Sequence, residues 1–277
     1  MKKVKKLKGL RKRNAISGYL FILPFIVGFL AFMVKPFFQS LYMSFCNVEL
    51  GAGSFKMGFA GIANYLRAFT VDTEFNRLLA EEIWRMSYNA LAIMVFSFFV
   101  ALVLNQKFKG RAFVRAVFFL PVILSTGDAS ITGVIEEILM TSGIGGEVFD
   151  IVFEIVDGVY DVAIASGIQI IIFLSGLQTI SASMYEAAEI DGCTKWESLW
   201  KITFPMISPL FLVNWIYTIV DFCMRSDNAV IEKISDTMIV DLNYGFASAM
   251  SWIYFLVVIL IIGISSLIIS KGVYYYD

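Results

Sequence analysis

The sequence predicts an all-α, polytopic membrane protein, and three observations carry that prediction: an apolar composition, six long apolar windows, and basic charge gathered on one side of those windows. Hydrophobic residues make up 58% of the 277 residues and charged residues only 16%. Mean hydropathy is +0.77, more apolar surface than a soluble domain of this size can bury. A helix needs about 20 largely apolar residues to cross a bilayer. Windows of that kind run approximately over 16–47 (interrupted by Lys35-Pro36), 87–106, 113–135, 162–183, 202–223 and 248–270. The expected organisation is a basic N-terminal segment, 1–15, followed by one transmembrane domain, 16–277. The first window follows basic residues as a secretory signal would. No small-x-small cleavage site follows its core, and the apolar run continues through Pro36 to Phe45, so it is read as a retained span.

Orientation follows from the positive-inside rule. Of the 22 Lys and Arg residues, 15 fall before span one, after spans two, four and six. The other 7 (Lys35, Lys56, Arg67, Arg77, Arg85, Arg225 and Lys233) fall on the opposite side. Both termini are therefore expected in the cytoplasm of a multi-pass cell-membrane protein. The segment between spans three and four carries no Lys or Arg but seven acids, from Glu136 to Asp161, and is expected outside.

Several chemistries are excluded early. Net charge is −1, so no basic field argues for nucleic acid. There is no histidine, which removes histidine triads, histidine-ligated metals and histidine proton relays. Cys46, Cys193 and Cys223 are too few and too scattered for a zinc cluster or a disulfide framework, and read as small apolar membrane residues. No catalytic or metal site is expected. No Gly-x-x-x-x-Gly-Lys-Ser/Thr run occurs, so the loop that cradles nucleotide phosphates is missing.

The densest local signal lies between spans four and five, in residues 183–205. Ser183 and Glu186 have capping-box spacing, so a short helix is expected to start there. Gly192 can adopt the left-handed conformation that closes such a helix. Thr194 and Glu197 then offer a second capping box. The expected result is two short helices joined by a bend under the bilayer. Ala187 and Ala188 keep the first thin, while Glu186, Glu189 and Asp191 supply charge for a partner. Trp196, Leu199 and Trp200 form an apolar strip suited to the membrane interface.

This run resembles the cytoplasmic loop of the permeases of type I ABC importers, which carries Glu-Ala-Ala, Asp-Gly-Ala and a terminal Ile-x-Leu-Pro. The matching residues are Glu186, Ala187, Ala188, Asp191, Gly192, Ile202 and Pro205, with Cys193, Leu199 and Phe204 as apolar departures. Further matches resemble the carbohydrate branch of that family: Tyr19-Leu-Phe-Ile-Leu-Pro24, Gly61-x-x-Asn64-Tyr65, and Leu104-Asn-Gln-Lys-x-Lys-Gly-Arg111 with Phe118-Phe-Leu-Pro121. The acidic stretch 136–161 matches poorly. The resemblance implies that the helix around Glu186–Asp191 is a coupling helix seated on a separate ATPase subunit. It implies a second homologous permease subunit, a nucleotide-binding ATPase dimer and an extracytoplasmic solute-binding protein as partners, besides membrane lipid. ATP would be used by the partner, and no cofactor is expected on this chain.

A path for uncharged solute needs a polar lining, and polar groups within spans are functional suspects. Asn214, Tyr217, Thr218 and Asp221 share one face of span five. Ser125, Thr126 and Asp128 in span three, Gln169 in span four, and Trp252 with Ser251 at the start of span six complete the candidate set. The same groups can instead stitch helices together. The rival classes are a secondary transporter, which calls for internal repeats and broken midplane helices, and a permease for a non-carbohydrate solute. The topology predicts that single cysteines at Ser183 and Ser142 label from opposite sides of the membrane; labelling of both by an impermeant reagent from outside would refute it.

Overall fold

The computed structural model describes residues 19–51, 54–106, 109, 162–225 and 227–274. The basic segment 1–15, the span expected at 113–135 and the acidic stretch 136–161 lie outside the described residues. Among those described, four helices are long and apolar enough to cross a membrane: α1 (Tyr19–Ser44), α3 (Thr73–Asn105), α6 (Lys195–Cys223) and α8 (Tyr244–Ser270). A fifth candidate is the pair α4 (Gly167–Thr179) and α5 (Ala182–Ile190), bent by 63° at the break between them. The remaining elements are a hairpin of β1 (Cys46–Gly51) and β2 (Ser54–Phe59), α2 (Ala63–Thr70) and α7 (Ala229–Ile239). The chain is a mostly helical, polytopic membrane protein.

The hairpin is an addition to the expected helices. Cys46 pairs with Phe59 and Gly51 with Ser54 in antiparallel register. Cys46 and Val48 are buried while Asn47 is exposed, the period-two alternation of a half-buried strand. Span two also begins earlier than expected. Asp72 accepts a hydrogen bond from the Phe75 backbone N–H at 2.8 Å, capping α3. Phe75, Leu79, Glu82 and Met86 then bury one face of its first four turns.

Proline sets the internal geometry of two spans. A proline inside a helix lacks an N–H and crowds the carbonyl four residues back. Before Pro36, α1 widens to a π turn over Leu30–Val34, and the Lys35 N–H reaches Leu30 O. Before Pro205, α6 does the same over Leu199–Thr203, with the Phe204 N–H on Leu199 O. The extra residue in the turn lets each helix continue through its proline. The expected interruption at Lys35-Pro36 is thus a widened turn.

Contacts divide the described residues into two units, the first up to Leu79 together with Ala229–Leu256, the second from Ala80 to Asn228 with Val257 onward. In the first, Gly61 takes φ +60° and turns the chain from β2 into α2. Asn64 then donates to the carbonyls of Ser44 at 3.1 Å and Cys46 at 3.0 Å, satisfying backbone freed at the end of α1. Lys233 on α7 pairs with Glu74. The hydrogen bond to that carboxylate, above all, holds the Lys233 ammonium above its ordinary pKa. In the second unit, Phe98 of α3, Phe173 of α4 and Phe211 of α6 form a buried or half-buried aromatic cluster, their ring centroids 4.7–5.8 Å apart. Met94, Ala101, Leu104, Ile170, Leu177 and Ile207 extend that core.

Gly245 marks the tightest backbone approach in the first unit. A Cβ there would lie 2.1 Å from the Cys46 carbonyl oxygen, which cannot swing away as a side chain could. Gly245→Ala is expected to destabilise by about 1–3 kcal/mol, the usual range for overpacking. At Gly263, on the same helix, a Cβ would meet nothing within 4 Å, and Gly263→Ala is expected to be neutral or stabilising by up to about 1 kcal/mol. Thermal unfolding of the detergent-solubilised variants, read as loss of monodisperse protein, checks the pair; equal melting points would refute the close approach.

Candidate functional site

The segment singled out between α4 and α6 folds as two short helices about a bend. α4 ends at Thr179, and Ile180 and Ser181 are extended, with ψ of 123° and 139°. That break supplies the 63° turn into α5. The expected cap at Ser183 is corrected here. The helix starts earlier, with Ser181 in the N-cap position and no side-chain capping bond, so Ser183 and Glu186 lie inside it. The Ser181 and Ser183 hydroxyls bond to each other at 3.0 Å instead, a local partner that competes with capping.

The other end of α5 forms as expected. Gly192 takes φ +77°. Its N–H bonds the Glu189 carbonyl at 3.1 Å, and the Cys193 N–H bonds the Ala188 carbonyl at 2.8 Å. These two bonds are the paired closure of a Schellman motif. The second capping box is complete: the Thr194 N–H donates to Glu197 Oε2 at 3.0 Å, and the Glu197 N–H to Thr194 Oγ1 at 3.2 Å. The helix it starts does not stop before the membrane. Lys195 to Cys223 is one continuous helix through the π turn, so Ile202 and Pro205 lie within the junction between loop and span.

One bond ties the halves of the segment together, and a second braces its acceptor end within α6. The Tyr185 hydroxyl of α5 and Thr203 Oγ1 of the π turn lie 2.9 Å apart, and Thr203 Oγ1 also donates to the Ser198 carbonyl at 3.3 Å. Between this frame and the end of α3 lies a cavity of about 360 Å³, bordered by Asn105, Gln106, Tyr185, Glu189 and Lys195. The outer surface of α5 has no such support. No residue of α5 is buried, and Ile190 is 86% exposed. Trp196 and Trp200 are likewise exposed, and their rings meet edge to face at 5.6 Å.

The polar residues expected to line a path separate into groups. Ser125, Thr126 and Asp128 lie outside the described residues. Gln169, Asn214 and Thr218 are fully buried and bonded to one another: Gln169 Nε2 donates to Thr218 Oγ1 at 3.1 Å, Asn214 Nδ2 to the Gln169 carbonyl at 3.3 Å, and Thr218 Oγ1 to the Asn214 carbonyl at 2.8 Å. They join α4 to α6. Two amide oxygens, Gln169 Oε1 and Asn214 Oδ1, are left buried without a hydrogen-bond partner among the described residues. Tyr217 and Asp221 continue the same face of α6 and are partly exposed. Trp252 donates to Ser40 Oγ at 3.2 Å and meets Phe37 edge to face at 4.8 Å, fastening α8 to α1. Sequence reasoning did not find the Trp215 indole bond to Ser265 Oγ at 2.7 Å; a serine in a hydrophobic run carries no signal of which distant residue it meets.

Comparison with known proteins settles the family. The family described as "binding-protein-dependent transport system inner membrane component" matches residues 162–276, which contain the whole segment just described. The chain is 31% identical to the probable ABC transporter permease protein YesP of Bacillus subtilis (strain 168), over 99% of this chain and 95% of that one. It belongs to the ABC-transporter permeases of binding-protein-dependent systems. This permease is a transport subunit and not an enzyme. It is also 26% identical to the sn-glycerol-3-phosphate transport system permease UgpA of Agrobacterium fabrum, over 95% and 97% of the two chains. With the trehalose/maltose permease MalF of Thermococcus litoralis it shares 30% identity over 76% and 75%. Its fold is that of a chain in the bacterial alginate ABC transporter solved with an alginate pentasaccharide-bound periplasmic protein, with a TM-score of 0.68, 18% identity and 91% and 92% coverage.

The φ of +77° at Gly192 makes a local prediction. A left-handed conformation costs a residue with a Cβ roughly 1–2 kcal/mol, and a Cβ added there would meet nothing within 4 Å. Gly192→Val should leave membrane insertion intact and speed trypsin cleavage after Lys195, with Gly192→Asn in between. Identical cleavage rates in all three proteins would overturn the assignment of Gly192 as the closing residue.

Proposed function

We propose that this permease forms one half of the translocation path of an ATP-driven importer for a sugar or oligosaccharide, and that α5 is its coupling helix. The observation that carries the proposal is the bareness of α5 on a rigid frame. A helix with no buried residue and an 86% exposed isoleucine gains little from its own chain, which is the state of a surface awaiting a partner. Its frame continues as one helix from Lys195 into the membrane, so a push on α5 is delivered to the span directly. Glu186, Ala187, Ala188 and Asp191 face that use: small residues permit close approach and the acids offer charge to a groove.

In this reading both termini are cytoplasmic and six spans cross the membrane. A separate ATPase dimer uses ATP, and this chain holds no cofactor. A second homologous permease completes the path, and an extracytoplasmic binding protein delivers the solute. The carbohydrate class is supported by the sequence motifs and by relatives named for trehalose/maltose, lactose and arabinooligosaccharides. Tyr217 and Asp221 line the path, while Gln169, Asn214 and Thr218 hold its wall. A wall that is bonded internally can move as a unit when the coupling helix is displaced.

The experiment reconstitutes Glu186→Ala and Ala188→Trp with the partner subunits in liposomes and measures uptake and binding-protein-stimulated ATP hydrolysis side by side. Both activities should fall together. A tenfold loss corresponds to about 1.4 kcal/mol of weakened docking, and Ala188→Trp should exceed it. Wild-type values for both activities in both variants would sink the coupling assignment.

A further inference from the structure

A second bare surface lies at the far end of α1, and it is more apolar than a helix facing water would carry. α2 turns Asn64 inward, buried together with Ala68, while Arg67 and Thr70 stay exposed. Outward it presents Ile62, Leu66 and Phe69, spaced i, i+4, i+7 and 61%, 54% and 55% exposed, with Phe59 exposed just before them. Such a stripe on an aqueous face would leave large apolar side chains in water with no return. We propose that α2 is an interfacial helix whose apolar stripe lies in the headgroup layer of the bilayer, in the leaflet that receives the C-terminal end of α1.

The depth of α2 is set by what holds it. Asn64 hangs from the carbonyls of Ser44, the last residue of α1, and of Cys46. The Tyr65 hydroxyl and Ser44 Oγ bond at 2.7 Å. On the other side the Arg67 guanidinium stacks 4.2 Å above the ring of Phe246, in the first turn of α8. The helix is therefore fastened to the ends of two membrane-crossing helices, at the level where chains meet headgroups. Tyr65 and Phe45, with ring centroids 5.2 Å apart, put aromatic rings at the depth that aromatic belts occupy. Arg67 is exposed beside the stripe, with its cation available to lipid phosphates as in amphipathic helices that lie on membranes. α1, to whose end the stripe is tied, has an apolar window with no residue buried, as a lipid-facing helix would.

The inference rests on the orientation proposed above only for naming the leaflet as the outer one. Its test works in either leaflet. Cys46 and Cys223 are buried, so in a Cys193→Ala background an NBD fluorophore is attached at Leu66→Cys and, separately, at Phe69→Cys. The complete importer is reconstituted in phosphatidylethanolamine and phosphatidylglycerol vesicles with or without TEMPO-phosphatidylcholine. Both positions should emit at blue-shifted wavelength, lose most of their intensity to the lipid-borne quencher and little to aqueous iodide, and do so equally with and without the binding protein. Dominant iodide quenching would overturn the proposal. Shielding that arises only on adding the binding protein would assign the stripe to that partner, and blue-shifted emission without lipid quenching would assign it to the second permease; either result overturns lipid contact.

Discussion

Backbone groups inside a bilayer have no water to bond, and the architecture of this permease follows from that constraint. A proline in a span removes one donor and crowds a carbonyl. In both places where a π turn precedes a proline, the helix widens and continues, at Leu30–Val34 before Pro36 and at Leu199–Thr203 before Pro205. Where helices do end, the loose carbonyls are taken up by named groups: Asn64 at the end of α1, and the N–H groups of Gly192 and Cys193 at the end of α5.

The same constraint has a mechanical consequence. Because the turn before Pro205 stays hydrogen-bonded, the helix that starts at the Thr194 capping box is also the long apolar helix α6. A soluble protein could have placed a flexible linker at that point. Here the loop, the π turn and the span form one lever, braced by the Tyr185–Thr203 bond. The bend between α4 and α5 supplies the opposite property, a change of direction over two extended residues. A rigid arm on one side and a sharp corner on the other are the features on which the proposed coupling role of α5 rests.

Polar residues inside the membrane divide by the same logic. Gln169, Asn214 and Thr218 bond one another between α4 and α6, so their amide and hydroxyl donors are used where lipid offers no acceptor, while the Gln169 and Asn214 amide oxygens have no partner among the described residues. Tyr217 and Asp221, on the same helical face but nearer its end, keep partial exposure. The four residues share one helical face but differ in burial along it.

The sequence by itself determined the class of the protein and the local form of its loop. Hydropathy selects lipid as solvent through composition alone, and glycine closure and the Thr194–Glu197 box are interactions over a few residues, so they are written in neighbouring positions. What only the tertiary structure decided depends on partners distant in the chain or on backbone adjustments without a side-chain signature. The hairpin after α1 was missed because its strands are short and follow directly on a span. The capping box at Ser183 did not form because the upstream break at Ile180 and Ser181 moved the helix start. The extension of α3 back to Thr73 rests on the cap by Asp72 and on a buried face that exists only once other helices cover it. The pairing of Gln169 with Thr218 and of Trp215 with Ser265 joins residues about fifty positions apart, and no spacing within one helix can state which residue of another will meet it.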